Sequence, residues 1–140
     1  MSLEAINTWA QLIAAVGVIG SLFYLGLQIR QNTRSMRAFA AAGADWHGAS
    51  EDDRARALPL FFATFKLFEN AWFQQRQGTL DPEQWEGWDP YIRMYYHQPG
   101  VKTWWPMRRA AFAAGFRDYI ETSQPIKDLP PIDRLIRGER

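Results

Sequence analysis

The sequence predicts an all-α protein: one N-terminal transmembrane helix, then a small cytoplasmic helical bundle, then an extended proline-containing tail. Three observations carry this. The stretch WAQLIAAVGVIGSLFYLGLQIRQNTRSMR, Trp9 to Arg37, is uncharged through its apolar part and then places three arginines in eight positions. Downstream, large aromatic residues recur at intervals of three and four, the period of a helix with one buried face. No stretch alternates apolar and polar residues as a half-buried strand would. The predicted divisions are a short outer N-terminus at 1–8, the span at 9–29, a basic membrane-exit segment at 30–37, a helical domain at 38–122 and the tail at 123–140.

The span comes first. Between Ala10 and Leu27 the polar side chains are Gln11, Ser21 and Tyr24 alone. At 1.5 Å per residue, Trp9 to Ile29 covers roughly 30 Å, the thickness of a hydrocarbon core. A surface helix of a soluble domain needs a polar face, and this segment has no charge on any face. A cleaved export signal needs Lys or Arg ahead of the apolar run, whereas Glu4 is the early charge here. The run AFAAAGA, Ala38 to Ala44, imitates a cleavage site but lies beyond the arginines. A membrane anchor is therefore expected over a core helix or a signal peptide.

Arg30, Arg34 and Arg37 set the expected orientation, because basic residues stay on the cytoplasmic side. They are also placed to reach lipid phosphates with their long stems. Around the helix axis, Ala10, Ala14, Gly17, Ser21 and Gln28 share a narrow stripe with Tyr24 at its edge, while Leu12, Val16, Ile19 and Phe23 lie opposite. Helices associate in lipid by close packing and hydrogen bonds, so the small stripe is the expected helix–helix interface. The competing explanation is chance alignment of residues common in any membrane helix.

The domain that follows is punctuated for helices. Ser50 before Glu51, Asp52 and Asp53 marks a helix start, with acidic residues at the positive end of the dipole. Phe61, Phe65, Phe68 and Trp72 define the buried face of a central helix, Pro59 restarts or kinks it, and Gly78 ends it. Asp81 and Pro82 open another helix with Trp85, Trp88, Ile92 and Tyr95 or Tyr96 on its apolar side, interrupted or not at Pro90. After the QPG turn, Trp105, Ala111 or Phe112, Phe116 and Ile120 mark a further helix, expected to begin around Pro106. The tail QPIKDLPPIDRLIRGER combines three prolines with Ile126, Leu129, Ile132, Leu135 and Ile136, which suits an arm laid on a partner as well as a disordered end.

The phrase YLGLQIRQNTRSMRA, Tyr24 to Ala38, resembles the opening of a family of small uncharacterised bacterial single-pass membrane proteins, whose membrane helix ends in a YLAxQIRQNTxxxR-like motif. LFENAWFQQRQGTLDPEQW, Leu67 to Trp85, and QPGVKTWWPMRRAAFAAGF, Gln98 to Phe116, resemble that family's later segments. The resemblance implies topology and domain limits. It transfers no catalytic residue.

Candidate chemistry is sparse. From Ala38 onward, 13 Lys and Arg stand against 14 Asp and Glu, giving no general attraction to nucleic acid. The chain has no cysteine, so thiol chemistry and thiolate metal sites are excluded. Glu83 and Glu86 lack the Glu-x-x-His companion of a di-iron bundle, and His47 and His97 have no flanking ligand pattern. Glu69, one turn from Phe65 and Trp72, is expected to form a structural ion pair with Arg108 or Arg109. Most of the seven tryptophans are expected in the core, with one or two of Trp85, Trp88, Trp104 and Trp105 left at a contact surface.

The expected function is non-catalytic, without cofactor or metal. The chain is read as an accessory or assembly subunit of a larger complex in the bacterial inner membrane, with respiratory and photosynthetic assemblies as first hosts to examine. Its expected partners are integral membrane subunits and the bilayer. A membrane-tethered enzyme or ligand binder, with a pocket among Glu69, Trp72 and Trp104, is the rival, and a homo-oligomer the third possibility.

Overall fold

The computed structural model describes residues 2–127 together with 134 and 138. Among these, five α-helices follow in order: α1 Leu3–Ala44, α2 Glu51–Arg76, α3 Pro82–Tyr96, α4 Pro99–Arg108 and α5 Ala114–Glu121. A 3-10 turn, Arg109–Ala111, separates α4 from α5, and no strand occurs among the described residues. The chain divides into two units, Met1–Arg34 and Ser35–Arg140.

The first unit is the N-terminal part of α1. This is a helix long and apolar enough to cross a membrane, and none of its apolar window is buried. Val16 is 70% and Phe23 74% exposed, so the segment is not a core helix of this chain.

The second unit encloses an aromatic core. Ser50 caps α2 by accepting the Asp53 N–H at 3.1 Å, and Phe61, Phe65, Phe68 and Trp72 are all buried, as their spacing predicts. Pro59 does not restart a helix: α2 runs through it from Glu51 to Arg76. One helix hydrogen bond is lost there, and the buried face from Ala57 through Trp72 holds the helix together across the gap. Gly78, at φ +72°, closes α2 with a paired return: its N–H donates to Gln75 O at 3.1 Å and the Thr79 N–H to Gln74 O at 3.0 Å.

Asp81 caps α3 through the Glu83 N–H at 2.8 Å. The helix runs through Pro90 to bring Ile92 and Tyr96 into the core. Trp104 sits at its centre, with ring centroids of Phe61 and Phe65 both 5.4 Å away. Trp46, Trp72, Trp104 and Trp105 are buried and Trp85 and Trp88 half-buried.

The expected helix from about Pro106 is corrected: α4 begins at Pro99 and ends at Arg108. Pro99 takes the first-turn position where its missing N–H costs nothing, and Gly100 then brings α4 against the last turn of α1. A Cβ at Gly100 would overlap the backbone carbonyl of Ala42. The chain unwinds after Arg109, and Phe112 is extended at φ −112°, ψ 153°. That break turns Phe112 back onto Trp105, centroids 4.9 Å apart, and lets α5 bury Phe116 and Ile120. Within the tail, Leu129, Ile132, Leu135 and Ile136 lie outside the described residues.

Candidate functional site

On α1, Ala10, Ala14, Gly17, Ser21 and Tyr24 are exposed and Gln28 is half-buried. The Ser21 hydroxyl donates to Gly17 O at 2.9 Å, and Gln28 Nε2 donates to the Tyr24 hydroxyl oxygen at 2.9 Å. The Ser21 proton and one Gln28 N–H are therefore satisfied within the helix. The Tyr24 proton, the second Gln28 N–H and the Gln28 carbonyl remain to be offered outward, and the stripe's main resource is its low profile. Nothing lies within 4 Å of a Cβ built on Gly17.

Arg30, Arg34 and Arg37 are exposed and form no ion pair or hydrogen bond among the described residues. At about 100° per residue, Arg30 and Arg34 fall within about 60° of Ile19, on the bulky side and away from the small stripe.

The expected pairing of Glu69 with Arg108 or Arg109 is wrong. Glu69 Oε1 meets Lys66 Nζ at 2.9 Å, three residues away on α2, and its side chain is 13% exposed. Its other oxygen accepts the Ala113 N–H at 2.7 Å. Lys66 also donates to Ala111 O at 2.7 Å and lies 4.6 Å from the centre of the Phe112 ring. The two α2 side chains thus clamp the broken segment between α4 and α5, where Ala113 stands at the start of α5 with no side-chain cap of its own. Arg108 donates to Met107 O at 3.1 Å. Arg109 is taken by Glu121, with Nε to Oε1 at 2.7 Å and Nη2 to Oε2 at 3.1 Å.

Glu121 also accepts Trp105 Nε1–H at 2.8 Å. The Arg109 guanidinium holds the Glu121 carboxyl below its ordinary value, with Trp105 adding to the effect against some desolvation. The Tyr119 hydroxyl donates to Asp89 Oδ1 at 2.6 Å. Asp89 Oδ2 lies 3.2 Å from Arg93 Nε, an ion contact off the hydrogen-bond line. Burial and the Asp89 bond raise the Tyr119 hydroxyl far above its ordinary value, so it stays a donor at any physiological pH. Arg93 Nη1 reaches Gln124 O at 3.2 Å, and His97 Nε2 lies 3.0 Å from the Ser123 hydroxyl, which itself donates to Ile120 O at 2.6 Å. The Ser123 proton is thereby committed, so His97 carries its proton on Nε2. His47 lies exposed in the turn between α1 and α2, where Arg54 spans the carbonyls of Trp46, His47 and Ala49.

These contacts are structural. Both Glu69 oxygens are engaged, Trp104 is enclosed, and Trp72 packs over Gly115, so Glu69, Trp72 and Trp104 do not frame an open pocket. The second unit instead presents a shallow apolar hollow of about 350 Å³ on α3, lined by Gln84, Gly87, Trp88 and Tyr91. Phe68 backs the two rings from below, its centroid 6.3 Å from Trp88 and 5.8 Å from Tyr91. Lys66 and Glu121 were missed at the sequence level. The i, i+3 spacing of Lys66 and Glu69 was the available signal, whereas the Arg109–Glu121 pair spans the break between α4 and α5, which sequence spacing does not encode. No protein-family model matches the chain, and no curated protein or solved structure matches it.

Proposed function

We propose that the chain is a single-pass protein of the bacterial inner membrane, N-terminus outside and helical domain in the cytoplasm. It acts by contact, as an accessory or assembly subunit of a larger membrane complex, with no catalytic role. The observation that carries this reading is a membrane-length apolar segment with no buried residue in its window, followed in the sequence by a unit with an aromatic core of its own. An apolar surface of that length is unstable in water and needs lipid around it.

The cleaved-signal alternative fits less well. Cleavage after Ala44 would remove Ala38, Ala42 and Gly43 from the core of the second unit, together with Phe39, whose ring packs 4.9 Å from Phe61, and cleavage after Ala40 would already remove Ala38 and Phe39. The three arginines after the span and none before it support the orientation. Contact, rather than catalysis, is favoured by the packed interior around Glu69 and by the bare aromatic hollow at Trp88 and Tyr91. The small stripe from Ala10 to Gln28 is the surface assigned to other membrane helices.

The test is purification of the tagged full-length chain in mild detergent. Integral membrane subunits recovered at a fixed ratio are expected. A chain that purifies alone, as a monomer, from membranes that contain it would overturn the reading, and a homo-oligomer would replace it with self-association.

A further inference from the structure

The bulky face of α1, the one turned away from the small stripe, carries a groove of about 360 Å³ lined by Ile19, Leu22, Phe23, Gly26, Leu27 and Arg30. Its walls are Leu22, Phe23 and Leu27. Its floor is Gly26, where nothing lies within 4 Å of the missing Cβ. One end carries a guanidinium with no partner among the described residues, and Arg34 follows one turn further on the same side. We propose that this groove is a binding site for one anionic glycerophospholipid, its acyl chain along Phe23, Gly26 and Leu27 and its phosphate on Arg30 and Arg34.

Three properties select this occupant. From Ile19 to Arg30 the helix rises about 16 Å, close to half the roughly 30 Å of a hydrocarbon core, so the groove runs the depth of one leaflet. The charge stands only at its outer end, matching a ligand with an apolar tail and an anionic head. A planar guanidinium takes phosphate oxygens in paired hydrogen bonds, and Arg34 supplies a second donor without a rival carboxylate, since the sole acidic residue of the first unit is Glu4 near the opposite end. A protein helix would fill the groove but would leave Arg30 to be paid off by an acidic residue of its own. The inference rests on reading α1 as a bilayer span.

The experiment is native mass spectrometry of the full-length protein in mild detergent, titrated with phosphatidylglycerol or with phosphatidylcholine of identical acyl chains. Wild type should retain phosphatidylglycerol about 30-fold more, the equivalent of about 2 kcal/mol for two cations at an anionic headgroup. Arg30→Gln should lower that preference to about fivefold, and Arg30→Gln with Arg34→Gln should bring the two lipids level. Gly26→Leu should lower phosphatidylglycerol retention with all charges kept, while Gly20→Leu, about 100° from Ile19 around the axis, should match wild type. Soluble glycerol phosphate should not compete. Equal retention of both lipids by wild type, or full retention by Gly26→Leu, overturns the groove. Loss of a co-purifying protein on Gly26→Leu gives the groove to a partner helix and overturns it as well. Carbonate washing of membranes separates the failures: release of the chain sinks the span reading itself, whereas a resistant chain without lipid preference sinks only the groove.

Discussion

Replacing Glu69 with alanine tests the clamp that holds the broken segment between α4 and α5. The carboxylate takes the Ala113 N–H at 2.7 Å and Lys66 at 2.9 Å. Removal strands a partly buried backbone donor, at about 1–3 kcal/mol. The ion pair itself adds little, about 0–1 kcal/mol, because Lys66 is 39% exposed and keeps its bond to Ala111 O. Glu69→Ala should therefore cost about 2–3 kcal/mol. Glu69→Gln retains an oxygen for the Ala113 N–H and should cost about 1 kcal/mol or less. With about 4–8 °C per kcal/mol for a domain of this size, the alanine variant should melt roughly 8–24 °C lower. Thermal unfolding of the full-length protein in detergent, followed by tryptophan fluorescence, reports the second unit, since six of the seven tryptophans lie in it. Alanine and glutamine variants melting within about 1 °C of each other would refute the argument, because the backbone acceptor would then contribute nothing.

Gly100→Ala should destabilise the second unit by about 1–3 kcal/mol, since its Cβ meets the backbone carbonyls of Ala42 and Gly43 and neither can move aside like a side-chain tip; an unchanged melting temperature contradicts that close approach. Glu121, held below its ordinary value by Arg109, contributes stability that is fully present above the ordinary value of 4.5 and is lost as pH falls through the folded one. Stability should thus decline below about pH 4.5, and Glu121→Gln should flatten that part of the profile while lowering stability at neutral pH. A wild-type profile with the same acid slope as the variant removes the pair as its source. A reporter fused after Arg140 should behave as cytoplasmic, and a periplasmic signal would reverse the topology.

The helices of the second unit were legible where apolar period and cap agree. Ser50 with three acidic residues and the Phe61 to Trp72 face encode α2 locally, and Asp81 with Pro82 encodes the start of α3. Pro106 misled because proline is favoured at a first helical position, and Pro99 offers the same signal seven residues earlier. What decides between them is the approach of Gly100 to α1, a contact between residues far apart in sequence. The position of Glu69 one turn from Phe65 and Trp72 signals an ion pair, but its cation is Lys66 and its second partner is a backbone N–H freed by a helix break, which residue types alone do not announce. That α1 is one continuous helix with its stripe, Gln28 apart, and its arginines exposed follows from local geometry alone, because a helix keeps its faces without help from distant residues.

The account's central claim, that the stripe is a contact surface for other membrane helices, meets its most direct test in co-purification by Gly17→Leu and Ile19→Leu at matched expression. Gly17 has open space within its own chain, so leucine there strains nothing internal, and any loss must come from a neighbour pushed away. Ile19 lies on the opposite face, and its replacement conserves volume. The account predicts that Gly17→Leu reaches the membrane yet loses its partner subunits while Ile19→Leu keeps them. Equal recovery of partners by Gly17→Leu and wild type would contradict it.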